Sequence, residues 1–231
     1  MSNVYLSIGA HIGDAELTSG CFLASKALEG NKIITLALTA GERGNPPHFT
    51  TEEYRKQKVN EAKSFAKILG GEAIVFDYED GLLPDNEEVR FKVAEIIRKY
   101  RPKQIFTHWK NSMHRDHELT FKIVNDASFY ANLEMGNKVK GERHFAPVFY
   151  AENWEDEEDF KPYLYLECSK EGFDLWSRAL KEHWFVMNSS SFKYYDYYTH
   201  LASVRGALSR TKYAEAFAVL EYQKKKIINE L

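Results

Sequence analysis

Val4-Tyr5-Leu6-Ser7-Ile8-Gly9-Ala10-His11-Ile12-Gly13-Asp14 decides the reading of this chain. Its first five residues form a short run rich in aromatic and β-branched side chains, the composition of a buried strand. Gly9-Ala10 ends the run, and two polar groups, His11 and Asp14, follow at once. Leu17, Cys21, Ala24 and Leu28 then recur at helical spacing up to Gly30, which predicts a helix over 17–28.

Working outward, the same alternation repeats. Residues 32–38 read as a second strand, and 39–49, with two glycines and two prolines, as a loop. Thr50 and Glu53 stand in capping-box spacing before a helix that Gly70-Gly71 would stop. Residues 73–77 read as a third strand, 87–100 as an amphipathic helix ended by Pro102, 104–107 as a fourth strand and 116–133 as a long helix. Strands alternating with helices call for a mostly parallel sheet with helices on both faces. The expected fold is therefore α/β, doubly wound and Rossmann-like, with strand order near 3-2-1-4-5.

The second half is less regular. Strands are expected over 148–152 and 163–168, separated by the acidic loop 155–159, and helices over 173–184 and 192–205. Tyr194, Tyr195, Tyr197 and Tyr198 read as packing or subunit contacts before they read as pocket lining. The 231 residues are expected to form a single domain over 1–231, long enough to bury a core without staples.

Bulk composition excludes several function classes. Thirty-one basic against 34 acidic residues leave a formal charge of −3, so no nucleic-acid partner is expected. Lys224-Lys225-Lys226 is the one basic block and reads as a solvated terminal segment. Cys21 and Cys168 lack CxxC spacing, which argues against a disulfide framework and a cysteine-rich zinc site. Neither a signal-peptide pattern nor a membrane-length apolar run is present, so the expected location is cytoplasmic with no membrane partner. Gly9-Ala10-His11 offers no GxGxxG fingerprint for a nucleotide.

The histidines sit where strands end. His11 and Asp14 follow the first strand, and His108, His114 and His117 follow the fourth. In the expected strand order these two strands are neighbours flanking the crevice where open α/β sheets bind ligands. Imidazole and carboxylate together, without thiolate, suit a catalytic zinc site with three protein ligands and an open position. His114 and His117 are three residues apart, so a helical turn sets them on one side, with Asp116 available to orient an imidazole.

Gly9-Ala10-His11-Ile12-Gly13-Asp14-Ala15-Glu16-Leu17 resembles the AHPDD-(A)-E-L signature of the PIG-L/LmbE-like N-deacetylases, and His114-Arg115-Asp116-His117 resembles their HPDH signature. Thr39-Ala40-Gly41-Glu42-Arg43-Gly44 is similar to the family's T-x-G-E-x-G loop, and Arg55 with Glu61-Ala62 to its R-x-x-E-A helix, with altered spacing. Asp80-Gly81, Ala179-Leu180 with His183, and Tyr213-Ala214-Glu215-Ala216-Phe217 resemble weaker features. The resemblance implies a metal-dependent hydrolase, with zinc as the expected Zn2+ cofactor, that removes an acyl group from an N-acetylglucosamine-type amino sugar or similar N-acyl amide. It implies His11, Asp14 and His117 as metal ligands, and His114 as the group that steadies an oxyanion or protonates the leaving amine, held by Asp116. Arg55 and Asp80 would contact sugar hydroxyls, and a homo-oligomer is expected.

One position departs from the pattern. Gly13 stands where the family carries the aspartate expected to act as general base, and Ile12 replaces its proline. General-base assistance is typically worth about 10²–10⁴-fold in rate. Three readings follow. Another carboxylate, with Glu16 and Glu42 as candidates, supplies the base. The substrate of a different reaction supplies it. Or the chain is a catalytically impaired metal or small-molecule binding protein.

Overall fold

The computed structural model describes residues 2–225. In chain order the elements are β1 (Val4–Gly9), α1 (Asp14–Thr18), α2 (Gly20–Leu28), β2 (Lys32–Thr39), α3 (Thr51–Ile68), β3 (Glu72–Tyr78), α4 (Glu87–Tyr100), β4 (Gln104–Thr107) and α5 (Arg115–Asn132). They continue with β5 (Val148–Ala151), β6 (Leu164–Cys168), α6 (Lys170–Ala179), α7 (Trp184–Asn188), α8 (Tyr194–Ser209) and β7 (Tyr213–Ala218).

The seven strands make one sheet in the order β3-β2-β1-β4-β5-β7-β6. Strands β1 to β5 run parallel, as the expected 3-2-1-4-5 order requires. β7 lies between β5 and β6 and is antiparallel to both. The side-chain period of two sends Leu6 and Ile8 to one face and Tyr5 to the other. The first face packs Ile34, Leu36 and Ile105 against Val89, Val93 and Ile97 of α4 and Ile123, Val124 and Ala127 of α5. The second packs Phe106 and Phe217 against Leu23 of α2, Phe65 of α3, Trp176 of α6 and Tyr198 of α8. Burial on both faces explains why β1 and β2 read as continuous apolar runs rather than alternating ones.

Several boundaries differ from the sequence reading, each for a local reason. The helix expected over 17–28 starts earlier, at Asp14, and breaks at Ser19, whose backbone leaves helical geometry. Ser19 bonds Ser7 of β1 through its hydroxyl, and Gly20 lets α2 approach the Trp176 indole more closely than any Cβ would allow. The helix expected over 173–184 begins at Lys170, capped by Ser169, and ends at Ala179. A single turn and the extended His183 then separate it from α7. The Thr50–Glu53 capping box forms as its spacing predicts. β7 had no strand signal, because Tyr-Ala-Glu-Ala-Phe-Ala offers small residues and a buried Glu215 where strands usually carry branched ones.

The chain leaves β1 towards β2 and β3 on one side and returns to β4 on the other. The carboxyl ends of β1 and β4 therefore flank the crevice that forms at such a switch point.

Candidate metal centre

The turn after β1 is held by its own polar groups. His11 N donates to Asp14 Oδ2 at 2.7 Å, and Gly13 N donates to Glu16 Oε2 at 3.0 Å. Gly13 adopts φ +114°, a conformation L side chains rarely take, so the turn needs glycine here. The result sets the His11 imidazole beside the Asp14 carboxylate. After β4 the chain runs to His114, the N-cap of α5, whose Nδ1 accepts the Asp116 backbone N–H at 3.2 Å. His117 thus falls in the first turn of α5, aimed back at the sheet.

Three ligand-type atoms converge there. His11 Nδ1 lies 3.3 Å from Asp14 Oδ2 and 3.3 Å from His117 Nε2, and the latter two are 3.6 Å apart. A tetrahedral zinc with bonds of about 2.0–2.2 Å requires ligand atoms about 3.3–3.6 Å apart, so this donor set suits such an ion. His117 Nδ1 pairs with the fully buried Asp156 Oδ1 at 2.9 Å. That partner favours the tautomer in which Nδ1 donates and Nε2 offers its lone pair to the cluster. Burial first, and His108 second, push the His117 pKa down to about 4, so the ring is neutral.

A shell of carboxylates surrounds these atoms. Asp156 spans two imidazoles, its other oxygen lying 2.8 Å from His108 Nδ1. His108 Nε2 is 3.1 Å from Asp14 Oδ2 and 3.0 Å from the Ala10 backbone N. Burial lowers the His108 pKa, but Asp156 and Asp14 outweigh it and raise it to about 9; Nδ1 faces Asp156, while Nε2 accepts the Ala10 N–H beside the Asp14 carboxylate. On the far side of His11, Nε2 lies 3.1 Å from Asp80 Oδ1 and 3.6 Å from Asp116 Oδ2. Burial pulls the His11 pKa down, while Asp116, Asp14 and Asp80 more than compensate and hold it well above 6.5. Asp80 is itself brought down to about 2, burial being outweighed by His11 and the Arg43 amide.

The cluster opens into a cleft of about 650 Å³ whose lining includes Lys58, Glu155, Trp184, Phe185 and Tyr194. Glu155 comes from the loop after β5, where its carbonyl accepts from Met113 N and Ser112 Oγ. Its carboxylate Oε2 lies 3.7 Å from His117 Nε2, and burial, with Asp14 and Asp156 nearby, raises its pKa to about 7.

A sequence model of the family described as PIG-L: GlcNAc-PI de-N-acetylase matches residues 6–128, more than half of the chain. The chain belongs to the PIG-L family. This family member is 24% identical over 216 residues to a 4-oxalmesaconate hydratase of Pseudomonas putida, covering 89% of this chain and 80% of the relative. It is 31% identical over 99 residues to a diacetylchitobiose deacetylase of Thermococcus kodakarensis, covering 42% of this chain and 37% of that protein. Its fold superposes on the 4-carboxy-2-hydroxymuconate hydratase of Pseudomonas putida with TM-score 0.86 and 23% identity, covering 100% of both chains. On the N,N'-diacetylchitobiose deacetylase of Pyrococcus horikoshii the values are 0.80 and 19%, covering 95% of this chain and 84% of that one. The expected family and the expected sheet are both borne out, and the PIG-L protein described here is an enzyme of that family.

Not every residue singled out in the sequence takes the place the resemblance implied. His11, Asp14 and His117 meet, and the His114 ring stacks on His117 with centroids 4.8 Å apart. The Asp116 carboxylate does not hold His114; it accepts from Gly81 N at 2.7 Å and faces His11. Burial, with His11 beside it, lowers the His114 pKa, so that ring is neutral rather than cationic. Asp80 lines the cleft. Arg55 does not, because Glu42, Asp77 and the carbonyls of Phe76 and Tyr78 engage its guanidinium beside β3. Of the suggested bases, Glu16 is tied to the Gly13 amide and Glu42 to Arg55 and the Asp80 amide. His108 carried a usable signal, standing directly after β4 as His11 stands after β1. Glu155 and Asp156 carried none, since an acidic loop usually reads as solvated.

Proposed function

We propose that this PIG-L enzyme is metal-dependent, with His11, Asp14 and His117 as the ligands, and that it hydrolyses an N-acyl amide of the amino-sugar type. The observation that carries the reading is the near-equal spacing of His11 Nδ1, Asp14 Oδ2 and His117 Nε2. His11, Asp14 and His117 would hold a divalent ion, zinc by their donor chemistry, and such an ion would supply carbonyl polarisation and a water of lowered pKa. Glu155 takes the role that a carboxylate at position 13 would have. It removes a proton from the attacking water as the C–O bond forms, and returns that proton to the amine nitrogen as the C–N bond breaks. Asp80 and Asp116 face His11 Nε2, so the ring's proton would sit on that side and leave Nδ1 free for the ion, and Asp156, paired with His117 Nδ1, does the same for His117. The small-molecule substrate enters by the cleft of Lys58, Trp184 and Tyr194.

A second reading has one observation in its favour. A relative that matches along most of this chain is a hydratase, and Gly13 removes the carboxylate the deacetylase signature would place there. On that reading the same groups add water across a double bond conjugated to a carbonyl.

The test is zinc analysis of the purified protein followed by two assays. Acetate release from N-acetylglucosamine derivatives supports hydrolysis, and loss of conjugated-diene absorbance from muconate-type acids supports hydration. His11→Ala should abolish zinc retention and whichever activity is seen. Retained activity in that variant would refute the ligand assignment.

A further inference from the structure

Lys58 lies in the middle of α3, with only 5% of its surface exposed, and its side chain reaches the cleft beside the ligand cluster. Lysine is almost never buried to this degree without a partner. Its ammonium has one hydrogen bond, to the Gly41 carbonyl at 3.2 Å, which leaves two of its three N–H groups without a protein acceptor. Among the described residues no carboxylate oxygen comes within 4.0 Å of Nζ. What it does meet are two ring faces, Phe185 at 4.8 Å and Tyr54 at 5.7 Å from Nζ to the centroids. Aromatic faces attract a cation but saturate none of its hydrogen-bonding directions.

The position is next to the chemistry. A Cβ added to Gly41 would stand 2.7 Å from Lys58 Nζ and 3.0 Å from His11 Cβ, so the two side chains flank one backbone atom. The Phe185 ring under the ammonium also fills the space into which a side chain at position 13 would project. Where the family signature would set a carboxylate beside the metal, this chain has a ring with a cation over it. Burial pulls the Lys58 pKa down, and Asp14, Asp80, Glu61 and Glu16 oppose that through space, yet Asp14 and Asp80 are committed to imidazoles, Glu16 to a backbone amide and Glu61 to the Gln57 amide.

We propose that Lys58 is the subsite for a carboxylate of the substrate, so that this enzyme selects anionic over neutral substrates at the cleft. This inference rests on the reading of the cleft as the reaction site. A substrate carboxylate there accepts, through its two oxygens, from the remaining N–H groups of Lys58, and the rest of the molecule extends to the cluster at His11.

The experiment uses full-length, zinc-loaded protein and calorimetric titration with fumarate, maleate, mesaconate and cis,cis-muconate, each beside its neutral diamide. At least one acid should bind the wild type about tenfold or more tighter than its diamide, the size expected of one charge-assisted hydrogen bond. Lys58→Met, which keeps the aliphatic stem, should lose that preference while zinc stoichiometry and diamide affinity stay unchanged. Lys58→Arg should retain most of it. No acid preference in the wild type would overturn the proposal. So would an equal loss of acid and diamide binding in Lys58→Met, because that marks a packing role. Failure of the metal reading shows separately, as absence of zinc from the wild type before any titration.

Discussion

At the scale of single residues, Gly13 and Asp156 matter most. Gly13→Asp restores the family's letter without restoring its geometry. The new Cβ would overlap the Phe185 ring, and an L side chain is strained at φ +114°. Chemical denaturation should show a loss of about 2 kcal/mol or more, the sum of modest strain and overpacking. Gly13→Asp/Phe185→Ala should recover part of it by removing the overlap. Unchanged stability in the single variant would mean that the ring moves freely. Asp156→Asn tests the tautomer argument. An amide cannot accept from both His108 and His117 as the carboxylate does. Zinc affinity should fall about 10–100-fold, the usual effect of removing such a partner, with little change in secondary structure by circular dichroism.

At the scale of elements, two helix boundaries give predictions of opposite character. Thr50→Ala removes the hydroxyl half of an exposed capping box at α3, where Thr50 Oγ1 accepts the Glu53 N–H, and should destabilise by about 1 kcal/mol in urea unfolding, leaving the cleft intact. His183, between α6 and α7, is fully buried, and among the described residues neither ring nitrogen has a hydrogen-bond partner. Burial, helped by the charge of Lys58, pushes its pKa down to about 3. As pH falls below about 6.5 the unfolded chain takes up a proton that the folded ring refuses until about pH 3. The folded state therefore loses stability across that window as the solution is acidified. His183→Phe should flatten the dependence by roughly 2 kcal/mol between pH 7 and pH 4.5. The readout is the slope of stability against pH, which a simple packing change would not alter. Parallel curves for the two proteins would count against a neutral buried ring.

At the scale of the whole molecule, the candidate centre joins segments distant in sequence. His11 and Asp14 follow β1, His117 opens α5, and Asp156 follows β5. An ion bound only by the folded arrangement stabilises it by mass action, by about 2.7 kcal/mol at one hundred times Kd. For a chain of this size that corresponds to a rise of about 5–10 °C in Tm. Differential scanning fluorimetry with and without zinc, after chelation, should show the rise in the wild type and lose it in His11→Ala. Equal midpoints with and without zinc in the wild type would argue against an ion at this site.

Much of this protein is written in local chemistry that a sequence exposes. The β-branched run at Val4 to Ile8, the Thr50–Glu53 cap and the Gly70-Gly71 stop act over a few residues, so their spacing foretells β1 and α3. The strand order of the parallel half follows from right-handed crossovers, and that order alone brings His11 near His117. What tertiary structure alone decided depends on contacts between distant segments. β7 is a strand because β5 and β6 leave a slot for it, whatever its propensity. Asp156 and Glu155 belong to the centre because a loop after β5 folds over it, and Arg55 is excluded because Glu42 and Asp77 claim it first. The opening stretch settled that His11 and Asp14 stand together at a strand end. Only packing put the Phe185 ring against Gly13, with Lys58 over it, where the family signature calls for a carboxylate.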